Sequence, residues 1–334
     1  MAEASALPPG VTALDDAACA RLLPLRGARD HKGSHGKLLL VAGSLDFLGA
    51  ALLAALAAAR AGAGLVRLAV PASLQPLVAG RVPEVITMGL PETEVDGEVD
   101  PEAALERILD TDHDALVVGP GLRPGLATVE LVGALLAPGA REHLAPALLD
   151  AEALNSLSTL PDGWQRAPRP CALTPHVGEF ARLRTGAADG EAIEGVDLAG
   201  DDQARAEAAG AAARAWRQVV VLKGARTVVA APDGRLAQAP FENPALASAG
   251  TGDVLSGTIG SLLAQGLDVF EACCLGVYLH GVAGEAVRER MGDAGLLASD
   301  LPDEVARARR RLSRLRDQLG AERRLGFRVG PTAG

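Results

Sequence analysis

Short apolar runs ending in glycine, aspartate, histidine or lysine recur along this chain, with helix-length segments between them. That alternation constrains the fold more than any other feature. Residues 37–42 read as a buried strand, 43–49 as a loop, 50–61 as a helix and 65–70 as the next strand. Apolar runs at 115–118, 147–149, 172–173 and 219–222 read as further strands, and helices are expected over 102–109, 126–136, 201–217, 253–265, 270–289 and 302–318. Residues 227–231 and 236–238, joined by Pro232-Asp233-Gly234-Arg235, read as a hairpin. Strands that alternate with helices imply an α/β fold, a mostly parallel central sheet covered by helices on both faces. Hydrophobic residues make up 49% of the chain and aromatics only 2%, so the core must be built from Ala, Val and Leu, which suits helices packed tightly on such a sheet. Residues 1–30 read as an N-terminal extension and lead-in, 31–318 as a single domain and 319–334 as a flexible basic tail.

The formal net charge of −10 argues against nucleic acid as a partner. The Arg-rich stretch 307–328 reads as a solvated helix face with a frayed end. Cys19, Cys171, Cys273 and Cys274 have the spacing of neither a zinc site nor a redox pair, so no metal ligands are assigned and a reduced, cytoplasmic compartment is expected. The N-terminus has no signal-peptide pattern, and the longest uncharged apolar run, 47–59, falls short of the roughly 17 residues that a membrane span needs.

Ligands of open parallel sheets bind beyond the carboxyl ends of the strands. The unusual residues fall there: the loop 43–49, Gly119-Pro120-Gly121-Leu122, Asp150, Thr174-Pro175-His176 and Lys223-Gly224. Neither G-x-x-x-x-G-K-[ST] nor G-x-G-x-x-G is present, which leaves Gly250-Thr251-Gly252, a glycine turn opening a helix, as the best anion site. Asp253 follows at once. An acid beside a phosphate site either works there, taking a proton or holding a metal, or merely caps the helix. Lys223-Gly224-Ala225-Arg226-Thr227 suits phosphates or an adenosine moiety, or is a solvated strand end. His176 either hydrogen-bonds a ligand or caps the next helix. Residues 31–37 read as a flap over an anionic ligand or as a polar lead-in; His113 and His143 read as surface residues and His280 as part of a packed helix.

In order and spacing these segments resemble the ADP-dependent NAD(P)H-hydrate dehydratase family, whose fold is ribokinase-like. The resemblance runs from about Leu23 to about Arg310. It is carried by His31-Lys32-Gly33 with Gly36, Ala42-Gly43-Ser44, Gly49-Ala50-Ala51-Leu52-Leu53-Ala54, Arg60-Ala61-Gly62-Ala63-Gly64-Leu65-Val66, Gly119-Pro120-Gly121-Leu122, Leu149-Asp150-Ala151, Leu173-Thr174-Pro175-His176, Gly178-Glu179-Phe180, Val221-Leu222-Lys223-Gly224, Asn243-Pro244, Gly250-Thr251-Gly252-Asp253 and Tyr278-Leu279-His280-Gly281.

The resemblance implies removal of water from hydrated NADH or NADPH, with ADP, accompanied by Mg2+, as phosphoryl donor and AMP and phosphate as products. It implies that Asp253 is the catalytic base and that Ala50, Gly121, His176 and Asp253 bind the hydrated dinucleotide. Lys223, Gly224, Ala225, Arg226, Thr227, Gly250, Thr251 and Gly252 would bind the nucleotide. The family usually reads Thr-Pro-His-Pro-Gly-Glu, and Val177 replaces the second Pro here. Many bacterial members also carry an epimerase domain ahead of the match; about 30 residues precede it here, so epimerisation is expected from a separate protein. A homo-oligomer is expected. The alternatives are an ATP-dependent kinase of the same fold acting on a vitamin precursor or sugar, and a non-catalytic nucleotide-binding module. A kinase would leave a stable phosphorylated product, and a pure binder gains little from Asp253.

Overall fold

The computed structural model describes residues 7–95, 97–141, 145–160, 171–185, 198 and 200–325. His143 and the last residues of the expected tail lie outside them. In chain order the strands are β1 (Thr12–Ala13), β2 (Lys37–Val41), β3 (Leu65–Pro71), β4 (Ile86–Leu90), β5 (Ala115–Val118), β6 (Ala147–Leu149), β7 (Ala172–Leu173), β8 (Val219–Leu222), β9 (Val228–Ala230) and β10 (Leu236–Gln238). The α-helices are α1 (Asp16–Leu22), α2 (Leu48–Ala61), α3 (Gln75–Ala79), α4 (Pro101–Leu109), α5 (Leu126–Leu135), α6 (Pro138–Arg141), α7 (Glu152–Thr159), α8 (Val177–Thr185), α9 (Asp202–Trp216), α10 (Thr251–Ala264), α11 (Val269–Met291) and α12 (Leu301–Leu325).

The strands form one ten-stranded sheet in the order β1-β10-β9-β8-β7-β6-β5-β2-β3-β4. Only β9 runs against its neighbours. Successive strand residues serve opposite faces, as the period of two demands. Leu38 and Leu40 of β2 join the core under α2, α10 and α11, while Leu39 and Val41 join the core under α4, α5, α7 and α9. Both faces are therefore buried, and the strands read as continuous apolar runs.

The segment read as a lead-in enters the fold at residue 12. Thr12 and Ala13 pair with Ala237 and Gln238, and Leu14, Cys19 and Ala20 are buried. At the other end α12 continues to Leu325, into the segment read as tail.

Two features place the site. The first is the switch point. Strand β2 is flanked by β3 and β5, both parallel to it, so the chain leaves β2 and β5 in different directions. Hydrogen bonds from Gly43 N to Pro120 O (2.8 Å) and from Gly119 N to Val41 O (3.1 Å) fix the two loops there. The second is the pairing of α2 with α10. A Cβ on Gly257 would lie 2.0 Å from the Ala54 carbonyl oxygen, and the Gln265 amide donates to Ala61 O at 3.2 Å. The helices thus run side by side in the same direction, with both N-termini at the carboxyl edge of the sheet. Alanine and glycine, not larger apolar residues, permit that approach.

Residues 31–37 lie at the far end of this pair. Lys32–His35 form a 3-10 turn capped by His31, and a Cβ on Gly36 would fall 1.7 Å from Ala264 O. Ala264 closes α10, roughly 20 Å from its first turn at 1.5 Å per residue. The segment is a structural lead-in, not a flap over a ligand.

Candidate active site

Gly250 caps α10 in the left-handed region (φ 88°), where only glycine is at ease, and no side chain caps the helix. Thr251, Gly252 and Asp253 are its first three residues. The amides of Gly252 and Asp253 have no intrahelical acceptor, and the positive end of the dipole adds to them. Asp253 does not act as the cap. Burial first, and the nearby Asp150 carboxylate second, push its carboxyl up to about 7; Lys223 offsets only part of that rise. A carboxylate titrating near neutrality is a competent general base.

Asp150 follows β6 and is 2% exposed. Its Oδ1 accepts from Lys223 Nζ at 2.7 Å and its Oδ2 from Ser256 Oγ at 2.7 Å. Burial raises its carboxyl, but the Lys223 charge and the hydrogen bonds from Lys223, Ser256 and Thr174 outweigh burial and hold it below the usual range. For Lys223, burial favours the neutral amine; Asp150 and Glu179 overcome it and keep the ammonium charged. Glu179 Oε2 stands 3.6 Å from Lys223 Nζ and accepts from His176 N at 2.8 Å.

Lys223, Gly224, Ala225, Thr227, Thr251 and Gly252 line one cavity of about 450 Å³. Its volume suits a nucleoside, and its remaining wall is largely apolar. Asn243 and His280 also face it. Asn243 Oδ1 accepts from Ala245 N at 2.9 Å, while its Nδ2 is buried and, among the described residues, meets no acceptor. A ligand acceptor would satisfy it. His280 lies on α11 as expected, buried, with Nε2 2.9 Å from Thr251 O. A carbonyl can only accept, so Nε2 carries the proton; burial, outweighing that bond, pushes the imidazole down to about 4 and keeps it neutral.

Two residues expected at the nucleotide stand off the cavity. The Arg226 guanidinium pairs with Asp202 (3.1 Å) and Glu242 (3.6 Å). Gly250 faces α2, where a Cβ would lie 2.7 Å from Leu53 Cδ1. Of the dinucleotide set, Ala50 and Gly121 are adjacent: a Cβ on Gly121 (φ 66°) would fall 2.8 Å from Ala50 Cβ. They sit at the switch point, one turn of α2 from the Leu53 that touches Gly250. His176 is half-exposed, and its Nδ1 accepts from Gly178 N at 3.0 Å and Glu179 N at 3.4 Å. With Glu179 returning a bond to His176 N, this is a reciprocal cap on α8. Its link to the site runs through Glu179 to Lys223. His113, expected at the surface, is half-buried.

The residues do not form a cage for Mg2+. Among the described residues no three His, Cys, Asp or Glu side chains gather around one point. Each oxygen of Asp150 already accepts a hydrogen bond, Oδ1 from Lys223 and Oδ2 from Ser256.

A family model described as NAD(P)H-hydrate dehydratase matches residues 38–307. The bifunctional NAD(P)H-hydrate repair enzyme of Moorella thermoacetica is 44% identical over 85% of this chain and 51% of its own length. The ADP-dependent (S)-NAD(P)H-hydrate dehydratase of Xanthomonas campestris is 37% identical over 86% of this chain and 93% of its own. This chain therefore spans about half the length of the bifunctional relatives. The crystal structure of the ADP/ATP-dependent NAD(P)H-hydrate dehydratase from Bacillus subtilis, co-crystallized with ATP/Mg2+, superposes with a TM-score of 0.74 at 32% identity, covering 91% of this chain and 99% of that one. A ribokinase-like superfamily protein from Enterococcus faecalis shares the fold, with a TM-score of 0.70 at 22% identity over 94% of this chain and 98% of its own. A sheet edge with paired helix N-termini, a carboxyl held near neutrality and a family-model match over most of the chain lead to one conclusion: this chain belongs to the NAD(P)H-hydrate dehydratase family, on a ribokinase-like fold.

Proposed function

We propose that this chain uses ADP to dehydrate (S)-hydrated NADH or NADPH, returning the reduced cofactor with AMP and phosphate. One observation carries the reading: a carboxylate held near neutrality, Asp253, follows Gly252 at the open amides of α10, and Gly252 and Lys223 line one cavity. Hydroxide is a poor leaving group, so the ring hydroxyl must first be made into a phosphate ester. Asp253 takes the hydroxyl proton as the oxygen bonds to the terminal phosphorus of ADP and the bond to AMP breaks. The Gly252 and Asp253 amides and Lys223 balance charge on the transferring phosphoryl group. The lone pair of the ring nitrogen then expels phosphate, and loss of a proton from the neighbouring ring carbon restores the dihydropyridine.

On this reading Lys223, Gly224, Ala225 and Thr227 take the adenosine side, with Arg226 contributing backbone only. Ala50, Gly121 and His176 serve the hydrated dinucleotide along the switch-point crevice. Mg2+ accompanies the nucleotide. An epimerase that interconverts the two hydrate epimers is the expected partner activity, and a cytoplasmic homo-oligomer the expected form. Among the described residues no helix is long and apolar enough to cross a membrane.

The test is the return of absorbance at the reduced-nicotinamide wavelength when the protein meets the hydrate, with ADP and ATP compared and AMP measured. Stoichiometric AMP and restored cofactor are expected. A stable phosphorylated product formed with ATP, and no return of absorbance, would make the chain a kinase.

A further inference from the structure

Two buried carboxylates beside a phosphate site are the donors that Mg2+ recruits at many nucleotide sites. Here the space between them is filled by the protein itself. Asp150 and Glu179 are 2% and 6% exposed. Lys223 Nζ stands between them, 2.7 Å from Asp150 Oδ1 and 3.6 Å from Glu179 Oε2. Mg2+ demands near-octahedral oxygen ligands at roughly 2.0–2.1 Å and gives up its waters reluctantly. An ammonium within hydrogen-bond distance of Asp150 leaves no such shell. The other oxygens are engaged too: Asp150 Oδ2 accepts from Ser256 Oγ, and Glu179 Oε1 lies 3.5 Å from His176 Nε2. The same ammonium reaches the anion site, since a Cβ on Gly252 would lie 3.6 Å from Nζ.

We propose that Lys223 replaces a protein-ligated divalent cation: Asp150 and Glu179 are positioning residues that hold its ammonium against the phosphates of the nucleotide, and Mg2+ enters only on the nucleotide, bound by no carboxylate of this chain. The inference rests on the cavity being the ADP site. It explains why a lysine stands, partly buried, between two buried carboxylates. Two carboxylates keep it charged, and a tethered point charge faces phosphate without the entropy cost of recruiting a free ion. Asp253 is the third acid nearby, and it stays free for proton transfer because Lys223 is committed to the other two.

The test has three arms on the full chain. Titration of the nucleotide-free protein with Mn2+, followed by the electron paramagnetic resonance of the free ion, should show no site tighter than about 1 mM. Calorimetry with ADP should give dissociation constants within about threefold in EDTA and in Mg2+. Lys223→Met vacates the space: ADP binding in EDTA should fall at least roughly thirtyfold, and Mn2+ should bind the variant and raise its melting temperature with concentration. One Mn2+ bound per nucleotide-free parent chain, loss of ADP binding by more than about a hundredfold on chelation, or a folded Lys223→Met that binds ADP like the parent would each overturn the inference. Should Lys223→Met fail to fold, the two measurements on the parent decide. None of the arms contains hydrated cofactor. A protein that passes them but returns no NADH overturns the dehydratase reading alone, and a parent that binds Mn2+ yet dehydrates overturns this inference alone.

Discussion

Asp253→Asn should make the protein more stable and nearly inactive, and the stability gain should depend on pH in a defined way. The carboxyl titrates at about 7 in the folded protein against 3.8 for an ordinary aspartate, a rise caused by burial and then by Asp150. At roughly 1.4 kcal/mol per unit, the shift corresponds to as much as about 4 kcal/mol. Asp253 is only partly buried, so water screens part of the shift and a gain of about 2–4 kcal/mol is expected. The sign follows from proton binding. Below about pH 4 the carboxyl is neutral in both states and costs nothing. Between about pH 4 and pH 7 the unfolded chain ionises first, so the parent loses stability as pH rises. Above about pH 7 both states are ionised and the cost is constant. The Asn variant escapes this loss, so its advantage should open between about pH 4 and pH 7 and then level off. Urea unfolding of parent and variant at three pH values measures it. Turnover should fall at least roughly a hundredfold, and the parent's rate should climb with pH through about 7 as the base deprotonates. Parallel stability profiles, or an Asn variant with near-normal turnover, would refute the reasoning.

Three further outcomes follow from the geometry. Gly252→Ala adds a Cβ whose nearest neighbour is Lys223 Nζ at 3.6 Å, so the melting temperature should hold while the Michaelis constant for ADP rises at least about tenfold; unchanged ADP affinity would misplace the phosphate site. His176→Ala removes the cap on α8 and should cost about 1 kcal/mol in thermal unfolding; a dinucleotide role adds a rise in the Michaelis constant for the hydrate but not for ADP, and a loss of stability alone would remove His176 from the site. Gly257→Ala drives a Cβ to 2.0 Å from Ala54 O, so it should destabilise by about 1–3 kcal/mol in urea and weaken ADP binding by displacing the first turn of α10; wild-type values in both would show that the two helices separate freely.

The strands that carry the site were legible because they are buried on both faces. Residues 115–118, 147–149, 172–173 and 219–222 are short, uncharged and apolar, and each forms a strand within those bounds. Strand β4 was not legible: Ile-Thr-Met-Gly-Leu offers neither alternation nor a clean apolar run, and it is held by β3 and the core around Met88 and Leu90. Strand β1, two residues at an edge, has no period to read. Helices α7 and α8 were not legible: they follow directly on the strand-end residues Asp150 and His176. At the site, Gly252 and Asp253 stood out because turn glycines and an acid at a helix start are local signals. The Lys223–Asp150 pair joins residues 73 positions apart, and Ser256 reaches Asp150 across 106. No spacing rule links such residues; only the order of strands in the sheet does. Arg226 shows the same limit: a cation beside a glycine turn looks like a phosphate ligand, and only the fold shows that its guanidinium pairs with Asp202 and Glu242.

The seating of β1 and α1 has a bearing on how the chain is made. Asp16 accepts from Tyr278 Oη at 2.7 Å across 262 positions of sequence, and it also pairs with Arg311 at 2.5 Å. Strand β1 pairs only with β10. Residues 12–22 are therefore made well before the strand and the helices that cover them. Until β10, α11 and α12 have been made, Leu14, Cys19 and Ala20 lack the elements that bury them. Closing so long a loop is slow. Docking of β1 and α1 follows the synthesis of β10, and a chain released before it would present both a sticky strand edge and the strand that fits it.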